Sequence, residues 1–280
     1  MSPRVFCRLT IVVLAGFVTG GVDAAEPMHV SWTNRILTVR SERLPQGHLE
    51  VLYLEAFLRP GAQGRDWRQS VLPHQTLLIG TNRAQTELRF RTQVEPDIEV
   101  MHEVRARADE LDFTFTFRNR GSNVSVLQWF QPACIRVDGI TGRDQAGYTA
   151  RSFVFTGAGL TTLDRVHRTE DALYRGGQVY LPPWTLAADA NPRPLCEDRV
   201  VNGLIGCFSA DNRWILATAS SRTHEVFEGV YVCLHSDPLI GGLKPGEVKR
   251  IRQKIYWVPN DPQQLLKRYR RDFGGHGSEW

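Results

Sequence analysis

The chain has 280 residues, with 34 Lys plus Arg against 30 Asp plus Glu, for a formal charge of +4. The arginines are scattered, which excludes an extended basic stripe of the kind that follows nucleic-acid phosphates. The one short basic run, Lys267 to Arg271, reads as the solvated face of a last helix, so no nucleic-acid partner is expected.

The first residues have the pattern of a secretory signal. Arg4 and Arg8 form a positive start, Leu9 to Val18 an apolar core, and Val22-Asp23-Ala24 a small-residue cleavage site. The apolar run is shorter than the roughly 20 residues that a membrane helix needs. Residues 1–25 are therefore set apart as a cleaved signal peptide. The mature chain is expected in the periplasm or outside the cell, with no stable membrane span. Residues 26–273 are expected to form a single β-sandwich domain and 274–280 a flexible tail.

Beyond the signal the dominant hydrophobic period is two. Strands are expected at 29–32 and 35–40, then over 49–58, where Leu52, Leu54, Ala56 and Leu58 alternate with Val51, Tyr53, Glu55 and Phe57. Further strands are expected at 76–80, 85–93 and 97–107. The run 111–117 sets Leu111, Phe113, Phe115 and Phe117 against Asp112, Thr114 and Thr116, the mark of a half-buried antiparallel strand. Runs at 124–130, 133–137, 151–156, 203–209, 213–219, 228–235 and 248–258 follow, punctuated by turn signals such as Asp138-Gly139 and Pro245-Gly246. Residues 161–174 allow one turn or a short helix, and 176–196 reads as a long Pro-rich loop. At the end, Asp261 is an N-cap, Pro262 suits the first helical position, and Leu265, Leu266 and Tyr269 would dock a short helix. The class is all-β: an antiparallel sandwich with a short C-terminal helix.

Cys134, Cys196, Cys207 and Cys233 permit two disulfides in three pairings, although Cys207 and Cys233 lie in apolar runs where a free thiol serves as a small hydrophobe. No CxxC, HxH or HExxH spacing occurs, so neither a metal nor another cofactor is expected. His102 alternates with Ile98, Val100 and Val104 and is read as a core histidine.

Five residues could carry acid–base chemistry. His224 and Glu225 sit just before a strand, while His235 closes that strand on the face of Tyr231 with Asp237 two positions on. An imidazole beside a carboxylate titrates near working pH, which suits proton transfer. The turn-rich run SDPLIGG gives His235 and Asp237 a plainer role as turn formers. Glu55, between Tyr53 and Phe57, offers a carboxylate on an aromatic strand, or else a solvent-facing partner for an arginine. Trp67 and Trp184 lie in polar or Pro-rich loops and would serve as stacking platforms, with Tyr231 on the His235 face. Arg136 and Arg151 would bind carboxylate groups of an acidic sugar, or pair with Asp138 or Asp144.

The runs YLEAFLRPG (53–61), WFQPACIRVDGITG (129–142) and CLHSDP through DPQQLLKRY (233–269) resemble a group of exported bacterial proteins of uncharacterised function. The closing pattern of strand, PGE turn, strand and D-P-x-x-L-L helix is similar to the last strands of galactose-mutarotase-like β-supersandwich domains. That resemblance implies a supersandwich-like fold and a carbohydrate ligand. In that family a Glu base and a His acid act on a concave sheet face, but no motif carries either role to a particular residue here. Two readings follow: a lyase, epimerase or hydrolase acting on a poly- or oligosaccharide, or a non-catalytic carbohydrate-binding or structural module of the cell envelope.

Overall fold

The computed structural model describes residues 26–60, 67–94, 96–170, 178–185, 196–229 and 231–274. Among them, sixteen strands form two antiparallel sheets. The first has the order β1 (His29–Thr33), β2 (Ile36–Arg40), β3 (His48–Leu58), β8 (Trp129–Arg136), β15 (Cys233–Pro238), β14 (Thr223–Glu228), β11 (Gln178–Tyr180). The second has the order β10 (Gly159–Thr162), β9 (Ser152–Thr156), β12 (Val200–Phe208), β13 (Trp214–Ser220), β16 (Val248–Pro259), β7 (Glu110–Asn119), β6 (Ile98–Ala106), β5 (Glu87–Val94), β4 (His74–Thr81).

The two sheets pack face to face over one large apolar cluster. It takes Val51, Tyr53 and Phe57 from β3, Phe113, Phe115 and Phe117 from β7, and Ile251, Ile255 and Trp257 from β16. This is the period-two pattern of the sequence turned into a sandwich core. Phe130 from β8 meets Phe57, Phe115 and Phe117 with ring centroids between 5.0 and 5.5 Å for Phe57 and Phe115 and 5.1 Å for Phe117. His102 sits in this layer as a satisfied core histidine. Its Nδ1 lies 2.7 Å from the Tyr53 hydroxyl and its Nε2 2.9 Å from Thr92 Oγ1.

Two one-turn helices, α1 (Trp67–Ser70) and α2 (Asp138–Thr141), connect strands. A longer helix, α3 (Pro262–Phe273), covers the outer face of the nine-stranded sheet. Asp261 caps it, its side chain accepting from Gln263 N and Gln264 N, and Leu265, Tyr269 and Phe273 repeat every four residues to form the buried stripe. Lys254 of β16, also buried, donates to both carboxylate oxygens of Glu110 (2.8 and 2.9 Å) and lies 3.1 Å from Asp272 of the helix. Arg268 adds a bidentate contact to Asp109.

Several sequence expectations need correction. The strand expected at 228–235 is two strands, β14 and β15, joined by a turn that carries Tyr231. The runs 133–137 and 129–130 are one strand, β8, passing through Pro132, whereas 124–128 is irregular. Helix is absent from 161–170 apart from the single residue Glu170; β10 and turns stand there, and 171–177 lies outside the described residues. Part of the expected Pro-rich loop is strand β11; residues 186–195 of that loop, and the tail from 275, lie outside the described residues. All four cysteines beyond the signal are free thiols, the second of the two states that the sequence leaves open.

Candidate functional site

The site begins with an irregularity in β3. Tyr53 pairs with Ala133 and Ala56 with Gln131, so Leu54 and Glu55 together face the single residue Pro132. This is a β-bulge, and Pro132, which has no N–H to offer the ladder, stands opposite it. Leu54 takes a left-handed conformation (φ +54), unfavourable for a branched side chain. The two carbonyls that the bulge displaces are both held by Arg35, whose Nη2 donates to Leu54 O (3.0 Å) and Glu55 O (2.9 Å). Arg35 itself occupies the β1–β2 hairpin turn, where Asn34 and Arg35 both have positive φ as the tight turn demands. The expected simple alternation of β3 therefore fails at Leu54. Leu54 joins Tyr53 in the inter-sheet core, and Ala56 joins Leu58 and Trp129 in a separate cluster on the other face.

The bulge brings Glu55 to β15. Glu55 Oε2 lies 3.7 Å from His235 Nε2. On the far side of the ring, His235 Nδ1 lies 3.5 Å from Asp237 Oδ1, and Gln131 Nε2 donates to the other Asp237 oxygen at 2.8 Å. His235 and Asp237 are buried, and in this set Glu55 alone reaches solvent, with 31% of its side chain exposed. Burial by itself would push the His235 pKa down. Cys134 and Asp237 more than offset that, so the imidazole is held well above its ordinary value. The Cys134 thiol is itself pushed up by its hydrogen bond with Cys233 and by burial.

Strand β14 adds a flank. Thr223 pairs with Pro238 and Glu225 with Asp237, leaving His224 as the extra residue of a second bulge. Glu225 thus stands directly across from Asp237, while the His224 ring lies 5.2 Å from Trp129. Phe227 packs edge-on against His235 at 5.3 Å. The five acid–base candidates, Glu55, His224, Glu225, His235 and Asp237, accordingly lie on three strands of one sheet, and Glu55, His235 and Asp237 form a connected line. The turn-forming role considered for His235 and Asp237 does not hold, since both stand within β15.

The other candidates disperse. Tyr231 lies in the turn before β15, 66% exposed, under the Arg136 guanidinium at 5.3 Å. Arg151 spends its donors on Ser209 O, Ala210 O and Asn212 Oδ1, so it ties down the 209–212 turn and pairs with neither Asp138 nor Asp144. The Trp184 indole donates to Thr223 O at 2.8 Å and lines a cavity of about 360 Å³ with Arg222, Leu266 and Arg270; that cavity shares no lining residue with the Glu55 line. Trp67 opens α1, and its side chain lies outside the described residues. Sequence reasoning placed Cys233 on the face of His235 but missed Cys134 as a neighbour of that ring and Gln131 as the donor to Asp237. The spacing Cys233-x-His235 was the signal for the first, because residues two apart in a strand share a face.

The chain is an antiparallel two-sheet sandwich with a buried polar line on the outer face of its smaller sheet. No family model matches it, and no curated protein does. Among solved structures it is similar to a galactose mutarotase-like protein from Lactobacillus casei (10% identity, TM-score 0.41, 82% of this chain and 99% of that one). It is also similar to a galactose mutarotase related enzyme from Lactobacillus acidophilus (10%, 0.43, 82% and 97%). A polysaccharide lyase matches at 8% identity and TM-score 0.39, over 86% of this chain but 34% of the lyase. The fold itself rests on the strand pairing described above.

Proposed function

We propose that this is a secreted carbohydrate-recognising protein that binds a poly- or oligosaccharide where Glu55 reaches solvent and acts on it by acid–base chemistry. The observation that supports this most is the 3.7 Å approach of Glu55 to His235 on one sheet face, with Asp237 behind the ring. In this reading Glu55 meets a sugar hydroxyl or C–H as base. His235, held as imidazolium beside Asp237, supplies the matching proton. The signal-like N-terminus supports export.

The burial of His235 favours a second reading, a non-catalytic binding module in which the line Glu55–His235–Asp237 only shapes the surface. A glycan-array screen followed by product analysis on the hits separates the two. Catalysis predicts that Glu55→Gln keeps glycan binding within a few-fold and lowers turnover by roughly 10²–10⁴. Binding without product formation leaves the module reading, and an absence of glycan binding refutes both.

A further inference from the structure

The same sheet face holds two thiols that the acid–base chemistry does not use, and they close on its histidine and carboxylate. Cys233 and His235 are two apart in β15 and share a face; extending the β8–β15 register places Cys134 opposite His235. Cys233 Sγ lies 3.5 Å from His235 Nε2, and the donor atoms of Cys134, Cys233 and His235 all lie within 4.8 Å of one another, all three residues buried. The nitrogen that faces the sulfur also faces Glu55 Oε2, a buried atom with no hydrogen-bond partner among the described residues.

We propose that Cys134, Cys233, His235 and Glu55 form a site for a tetrahedral divalent transition metal, zinc being the best fit. Zn–S bonds of about 2.3 Å and Zn–N or Zn–O bonds of about 2.0–2.1 Å put neighbouring tetrahedral donors about 3.3–3.8 Å apart. From His235 Nε2, 3.5 Å to Cys233 matches an N···S pair of that geometry, and 3.7 Å to Glu55 is a few tenths of an ångström longer than an N···O pair, which is about 3.3–3.4 Å. The donor set of two thiolates, an imidazole and a carboxylate selects zinc over magnesium or calcium. Behind the imidazole, Asp237 faces Nδ1 and is itself fixed by Gln131, the carboxylate–histidine arrangement that orients a metal-bound ring. Binding releases the two thiol protons and the imidazolium proton on Nε2 to solvent, while Nδ1 keeps its proton toward Asp237.

A disulfide between the two cysteines fits less well. Cys233 pairs with Arg136, so Cys134 is its diagonal neighbour two residues along β8. Such neighbours lie about 7–8 Å apart, beyond the usual Cα span of a disulfide. The site depends on neither sugar binding nor export. With the ion in place His235 and Glu55 are both ligands, so the metal-loaded site and the acid–base reading use the same two side chains in different states.

The test is cobalt substitution of the full chain, purified reduced and free of metal. About one Co²⁺ per chain should bind and give an intense thiolate-to-cobalt charge-transfer band with the visible bands of a tetrahedral centre, and Zn²⁺ should displace it. Cys134→Ser and Cys233→Ser should each remove about half of the charge-transfer intensity. Glu55→Gln should leave that band and shift the visible ones, and Asp237→Asn should weaken affinity roughly 10–100-fold. A folded, reduced wild-type chain without the charge-transfer band overturns the proposal. So does an intact band in both cysteine variants, or a Cys134–Cys233 disulfide in the protein as isolated. The glycan screen run with and without Zn²⁺ keeps the two readings apart: metal binding without glycan binding fails only the carbohydrate reading, and glycan binding without the cobalt spectrum fails only the metal site.

Discussion

His102 should make the fold acid-sensitive well above the range in which carboxylates titrate. Burial lowers its pKa from 6.5 to about 3. Its neutral ring is fully engaged, one nitrogen with Tyr53 and the other with Thr92, so the folded state has no place for a second ring proton. The sign follows from linkage: a base whose folded pKa is depressed lets the unfolded chain bind the proton first. Stability is therefore complete above about pH 6.5 and falls as pH drops toward the folded value. At pH 5 the unfolded chain lies about 1.5 units below its pKa while the folded ring is still neutral. At about 1.36 kcal/mol per unit this gives a loss of about 2 kcal/mol relative to neutral pH. Urea unfolding of the wild type and His102→Gln at both pH values isolates the effect, because every other titrating group is common to the two. The wild type should lose about 2 kcal/mol more than the variant. Equal losses, or an imidazolium His102 seen by NMR in the folded chain at pH 5, would refute the reasoning.

Two further predictions concern α3. Asp261→Ala removes the acceptor for Gln263 N and Gln264 N and should cost about 1 kcal/mol in urea unfolding, with Asp261→Asn recovering most of it. Lys254→Met leaves Glu110 and Asp272 without their buried ammonium and should cost about 3 kcal/mol, read as a shift of the denaturation midpoint.

The parts of this molecule that were legible in its sequence are those set by neighbours along the chain. The alternation of Phe113, Phe115 and Phe117 against Thr114 and Thr116 is local, and so is the Asp261-Pro262 helix start; both appear in the structure where the pattern puts them. His102 could be placed inside because Val100 and Val104 flank it on the same face. The candidate site depends on groups distant in the chain. Glu55 reaches His235 because Arg35 holds a bulge that Pro132 faces from another strand, and no local pattern in 49–58 signals that. Cys134 meets His235 only through the pairing of β8 with β15. Asp237-Pro238 reads as a turn in isolation, yet the hydrogen bond from Gln131 and the pairing with Glu225 hold it in a strand. Tyr231 reads as a strand residue because Tyr231 and Val232 are as apolar as the strands on either side, so nothing local marks the break between Glu228 and Cys233.

The extra residue in β3 also governs how the chain can vary in length. A substitution at Leu54 changes one side chain, but deleting a residue between Tyr53 and Ala56 would close the bulge. Side chains alternate at every step, so the whole run from His48 to Tyr53 would then exchange faces relative to Phe57 and Leu58. Val51 and Tyr53 would leave the core in the same event that moved Glu55 away from His235. At this point of the strand the number of residues is constrained more tightly than their identity, so insertions and deletions should settle in the connecting turns and spare β3.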